Sequence, residues 1–447
     1  MQMALSSFVI SSLKQEAYGL RIRLEQVKPF AMVMPAVPAA GISSGAFIAI
    51  ERYMDRGRHE IGKSVDTYLH WLQGPDAKKS SPVEAQRRLC FLRMKFNAVL
   101  TQFDIFADVL TQRSEHDYGV WLSGLDQLAA DALTLKGEYF KKPYVATYLD
   151  RGFGAAIRRA RTRLPGGGKN PVAIIRIPRE RMVGSGIASS LVHEVGHQGS
   201  ALLDLVNSMR GHVQQVQHQH DGDQRMAWTI WERWLSEIIA DFWAVAKLGV
   251  TATQGLMGVV SLPRAFVFRM NLDDPHPFPW IRVKLSASMG NALFPHPQWQ
   301  KLGQMWEDFY PRKGLSAHHL KIISLMEETM PRFIELFLRH RPGLLRGKSL
   351  PEVFPLKDRQ PARLRTYYES WGFSPEKMYV APPALVFAVI GQARMDGKIN
   401  PEAEAGMLST MLTYWAVQRI SGRPEALCGR RMPELFEWER SDIKYSR

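Results

Sequence analysis

Five residues, His193-Glu194-Val195-Gly196-His197, restrict what this chain can fold into more than any others in it. On a helix, residues four apart share a face, so His193 and His197 can offer imidazole nitrogens to one metal ion while Glu194 lies alongside. Neutral imidazoles are good zinc ligands, and a catalytic zinc takes three protein ligands and keeps a fourth position for water. Zinc lowers the pKa of that water to about 7, so a neighbouring carboxylate such as Glu194 can remove its proton near neutrality. The fold must therefore enclose this helix and bring a further ligand to it.

In one class of such sites the third ligand is a His six residues after the second, with a Gly between them. Those positions hold Leu203 and Ser200 here, which excludes that class. The other large class takes a Glu from a second helix, with an Asp one turn on. Trp234 to Ala244 reads WLSEIIADFWA, in which Glu237 and Asp241 are again four apart. Glu237 can then bind the metal while Asp241 accepts a hydrogen bond from the far nitrogen of a ligand His, fixing its tautomer and ring orientation. The remainder of the stretch is apolar, as a buried helix requires.

HEVGH followed about forty residues later by SEIIADFWA resembles the gluzincins, and the ExxAD form is similar to the HtpX-like and CAAX-processing membrane peptidases. Asp274 to Arg282, DPHPFPWIR, is similar to the HPPxxxR segment of that group, with Phe278 in place of the second proline. The transmembrane hairpin that the membrane members carry between the motifs has no counterpart in this chain. The resemblance implies a zinc metallopeptidase: His193, His197 and Glu237 as Zn2+ ligands, Glu194 as general base, and Asp241 behind a ligand His. It also makes His276 and Arg282 candidate catalytic donors to the oxyanion of a tetrahedral intermediate. A structural pairing of Arg282 with Asp273 or Asp274 is the competing reading.

Composition bounds the rest. A chain of 447 residues with 45% hydrophobic content can bury more than one core. Cys90 and Cys428 are its two cysteines and match no metal or redox spacing. With no apparent signal peptide, a cytoplasmic location is expected. The net charge of +15 is uneven: residues 141–181 hold eleven Lys/Arg against Asp150 and Glu180. Such a run is ordinarily a solvated face, and its functional alternative is an acidic partner or an anionic membrane surface. No nucleic-acid motif accompanies it, so no nucleic acid partner is expected.

Residues 29–50 lack any charge, and their length alone permits a membrane span. Pro29, Pro35, Pro38, Gly41 and Gly45 interrupt them, which favours a docked irregular segment leading into a helix from about Ser44, with membrane association left open. Helical spacing dominates from Phe47 to Leu135. Val172 to Ile177 reads as a short strand ended by Pro178. In gluzincins the strand before the active helix is a sheet edge that pairs with extended substrate; an ordinary core strand is the equal alternative. Ser185 is the expected cap of the histidine helix. Gly196 weakens that helix by roughly 1 kcal/mol relative to Ala, which a close neighbouring backbone would explain. Residues 211–223 read as a polar loop, 248–263 as a buried helix, and 341–364 as a linker or extended wrap.

The expected architecture is mainly α with a small α+β zincin-like catalytic core flanked by helical regions: 1–135 N-terminal and helical, 136–330 the metallopeptidase core, 331–447 a linker and C-terminal helices. The expected function is hydrolysis of a peptide or protein substrate by a zinc-activated water with Glu194 as base. The alternative is a zinc-binding scaffold that serves assembly or regulation.

Overall fold

The computed structural model describes residues 5–33, 37–114, 116–150, 154–165, 167–179, 184–372 and 374–421. Cys428, Glu180 and Pro35, named above, lie outside them, as do Arg151 and Arg181 of the basic run. The protein is mainly helical with one small three-stranded sheet. Among the described residues no helix is long and apolar enough to cross a membrane.

Two hydrophobic clusters share the sheet between them. The first is built by the helices Ser7–Gln26, Ser44–Gln73 and Pro82–Thr111. The second gathers the helices from His116 onward, including seven fully buried tryptophans. Strands β1 (Tyr144–Asp150), β2 (Ala156–Arg158) and β3 (Val172–Pro178) lie in the order β1-β3-β2, with β1 parallel and β2 antiparallel to β3. Side chains alternate between faces along a strand. Ala146, Val172 and Ile174 therefore enter the first cluster, while Val145, Leu149, Ala173, Ile175 and Ile177 enter the second. The edge role expected for Val172 to Ile177 is corrected here: β3 is the central strand, paired on both sides, and β2 forms the edge.

A buried ion pair fixes the sheet to its neighbours. Arg113 donates to both carboxylate oxygens of Asp126 at 2.9 and 3.2 Å, and Asp126 accepts from the backbone N–H and hydroxyl of Thr147 at 2.7 and 2.9 Å. All three residues are buried, and the two charges pair with each other instead of water, although the Arg113 Nε is left without a partner.

The uncharged segment before Ser44 docks rather than extends. Phe30, Ala40 and Ile42 are buried, and the helix begins at Ser44, where the Ser43 hydroxyl accepts from the N–H of Ala46 at 3.2 Å. Residues 211–218 differ from the loop expected of them: the helix Leu205–His218 continues through them because Met209 and Val213 supply an apolar face at helical spacing. Residues 341–364 form a wrap of short helical turns, and Phe354 from it packs edge-on against Phe242 and Trp243 at 5.7 and 4.9 Å between ring centroids.

Candidate metal centre

Two helices meet at the site. The histidine helix, Gly186–Leu202, and the glutamate helix, Leu235–Leu248, cross so closely that a methyl group on Gly196 would lie 2.8 Å from the Ala240 Cα, and one on Gly199 would lie 2.3 Å from the Trp243 ring. Glycine is thus required at both positions by the approach of the neighbouring helix. A third helix, Val250–Val260, presses Gly255 against Ser189 on the other flank, and the Ser189 hydroxyl donates to the carbonyl of Ala252 at 2.8 Å.

The crossing brings His193, His197 and Glu237 together. One ligand atom from each lies within 4.8 Å of the others, and among the described residues they make the one group of this kind able to hold a metal ion. The Nε2 atoms of His193 and His197 are each 3.3 Å from a different oxygen of the Glu237 carboxylate. The other ring nitrogens are engaged: His193 Nδ1 is 2.7 Å from Asp241 and His197 Nδ1 is 3.3 Å from the Ser236 hydroxyl. With Nδ1 of each ring so held, both Nε2 atoms face the same point. A pair of imidazoles and one carboxylate is a donor set that suits a divalent metal.

Arg282, from the helix Pro279–Leu293, closes the network from behind. It donates to Asp241 through Nε at 2.7 Å and Nη2 at 2.9 Å, and to Glu237 at 3.3 Å. The pairing with Asp273 or Asp274 weighed above does not occur; Asp273 meets Arg233 at 2.9 Å, and Asp274 meets His276 at 2.8 Å. His276 is 55% exposed in its side chain, and its Nε2 lies 3.6 Å from Glu237. It therefore stands at the mouth of the site while Arg282 stands within its wall.

The charges shift one another strongly. Burial penalises the charged form of His193, but the Asp241 carboxylate and the hydrogen bonds to Asp241 and Glu237 overcome it and raise the imidazole to about 9. Burial opposes ionisation of Asp241 as well, and the charges of Arg282 and His193 still hold it at about 2. Glu237 is held far below the ordinary carboxylate range against its own burial, by hydrogen bonds from His193 and His197. Glu194 goes the other way: burial raises its pKa, and the charges of His193 and His197 oppose that without overcoming it.

A cavity of about 240 Å³ begins at Gly154 and Ala155, passes His193, Glu194 and Glu237, and ends among Ala244, Val245, Ala252, Leu256 and Val259. A more open hollow of about 330 Å³ lies in front, between Ala155–Ile157 of the β2 edge and His193, His197 and His276. Neither residues 29–50 nor any residue beyond Ser286 lines them among the described residues.

The start of the histidine helix departs from expectation. Ser185 makes no side-chain cap bond; its backbone N–H donates to Glu404 at 2.9 Å, and its hydroxyl donates to the same carboxylate at 2.5 Å. Glu404, 1% exposed, comes from the helix Pro401–Ser421 and is also held by Arg394 at 2.7 Å. A carboxylate at a helix N-terminus is favoured by the helix dipole. Sequence spacing gave no sign of Glu404, since the partner lies more than two hundred residues away. Ser236 was also missed, although it adjoins Glu237, and Asp274, weighed as a partner of Arg282, pairs with His276 instead.

No known protein family, curated protein or solved structure matches this chain.

Proposed function

We propose that the protein is a zinc metallopeptidase of the gluzincin type, with the two crossing helices and the sheet as a zincin-like core. The observation that carries this reading is the convergence of His193, His197 and Glu237 beside a cavity that also holds the buried Glu194. When bound there, zinc supplies Lewis acidity and makes a water acidic enough to deprotonate near neutral pH.

The chain's own residues supply the remaining work. Glu194 takes the proton from the attacking water and later delivers it to the leaving amine; its raised pKa suits both transfers. Asp241 holds the Nδ1–H of His193, so that Nε2 presents its lone pair. Arg282 positions Asp241 and Glu237 and keeps both ionised in a buried setting. His276, oriented by Asp274, is the donor nearest the cavity mouth and stabilises the oxyanion that forms on the attacked carbonyl. The β2 edge offers backbone groups to an extended peptide, which would pair with it as an added strand.

Incubation of wild type and Glu194→Gln with a peptide library, read by mass spectrometry, tests this. Wild-type protein is expected to cleave, and Glu194→Gln to keep its zinc while losing at least about a thousand-fold in rate. Full activity in Glu194→Gln, or protein that binds zinc only substoichiometrically, would sink the assignment.

A further inference from the structure

Beside the metal cleft, on the other side of β2, lies a second hollow of about 590 Å³ between the sheet and the helix Pro82–Thr111. The register explains its lining. Tyr148, Arg176 and Ala156 form one row across the three strands, and Arg158 pairs with Ile174 in the next row, on the same face. Arg159 follows directly. The hollow is thus faced by three guanidinium groups, and Asp108 is the one acid among its lining residues.

These arginines are not consumed by the fold. Arg158 and Arg159 are exposed, and neither side chain has a hydrogen bond or ion pair among the described residues. Arg176 reaches Asp150 only at 3.5 Å and has a buried Nε without a partner. An anion shared between guanidinium groups that face one hollow offsets their mutual repulsion, and guanidinium pairs with carboxylate in a fixed fork geometry.

The hollow and the metal cleft share the β2 edge as a common wall. Ala156, Ile157 and Arg159 line both, so a chain laid along the β2 edge past His193 and Glu194 leads directly to the arginines. We infer that the substrate is an acidic peptide, whose Asp or Glu side chains to one side of the scissile bond are held by Arg158, Arg159 and Arg176. This rests on the peptidase reading and narrows it to a substrate class.

The test separates the two. Zinc-loaded full-length protein is given three labelled peptides, identical except for a block of glutamate, glutamine or lysine to one side of the central bond, together with the mirrored set. Binding to Glu194→Gln is followed by fluorescence anisotropy, and cleavage by wild type is followed in parallel. The glutamate peptide is expected to bind about ten-fold more tightly than the glutamine peptide in one of the two orientations, with the gap closing at high salt. The double variant Arg158→Glu/Arg159→Glu, checked for folding by its thermal midpoint, should invert the order so that the lysine peptide is preferred. Equal affinity for glutamate and glutamine peptides, or a preference that survives the charge reversal, overturns the inference even if cleavage is robust. A glutamate preference that inverts as expected, with no cleavage of any peptide, supports a basic groove for acidic peptides and sinks the peptidase reading instead. Binding of an oligothymidylate or of phosphatidylserine vesicles in place of every peptide also overturns it.

Discussion

The two hydrophobic clusters treat charge in opposite ways. Among the described residues between 5 and 110 the first buries an amide, Gln102, and no acid or base; most of its ion pairs, such as Arg93 with Glu16, are on the surface, and Arg58 with Glu51 is half-buried. The second buries Glu194, Glu237, Asp241, Lys247, Arg359 and Glu404. Removing an ion from water costs several kcal/mol even after relaxation, so an interior that holds this many retains them for something other than stability. The contrast separates the halves without reference to any motif: one is a packed apolar support, and the other keeps ionised groups buried at fixed positions.

Substitutions in the two halves should differ accordingly. Arg282→Met has the largest expected effect on the fold, about 3–5 kcal/mol lost in chemical denaturation, because Asp241 and Glu237 would be left buried without their cation. Asp241→Asn should leave the fold nearer intact and weaken zinc binding by about 10- to 100-fold in a competition titration with a chelator. Gly196→Ala, which forces a methyl group against Ala240, should cost about 1–3 kcal/mol. An unaltered denaturation midpoint in that variant would mean that the two helices are not in contact as described.

Acid should act through His340. Burial, and then the nearby His212, depress its pKa from 6.5 to about 4. The unfolded chain therefore binds this proton more readily, and the stabilisation is full above about pH 6.5 and lost progressively as pH falls toward about 4. The thermal midpoint should drop across that window, and less steeply in His340→Gln. At the small end, Arg93→Ala removes an exposed ion pair of the first cluster and should change stability by no more than about 1 kcal/mol. A loss comparable to that of Arg282→Met would erase the contrast between the halves.

Local chemistry made parts of this legible in advance. The spacing of His193, His197, Glu237 and Asp241 encodes which side chains share a helix face, and the helix start at Ser44 follows from a serine cap ahead of an apolar run. Long-range pairing is not encoded that way. Which strand is central depends on how three short segments choose one another, and β2, only three residues long, leaves almost no period to read. His212 and its neighbours were misjudged because their polarity outweighed the two apolar residues, Met209 and Val213, that anchor the helix. Gly196 was noticed as a cost to helix stability, but Ala240, which makes it necessary, could be identified only in three dimensions.

The contact between Ser185 and Glu404 gives the site a timetable. Translation at about 5–20 residues per second puts roughly ten to forty seconds between the two residues, which are 219 positions apart. For most of that interval a nascent chain already carries both histidines and Glu237, while the helix that bears the histidines waits for the carboxylate that accepts from Ser185. Chains truncated before Glu404 should therefore open at that turn first, which hydrogen exchange would show as early loss of protection there.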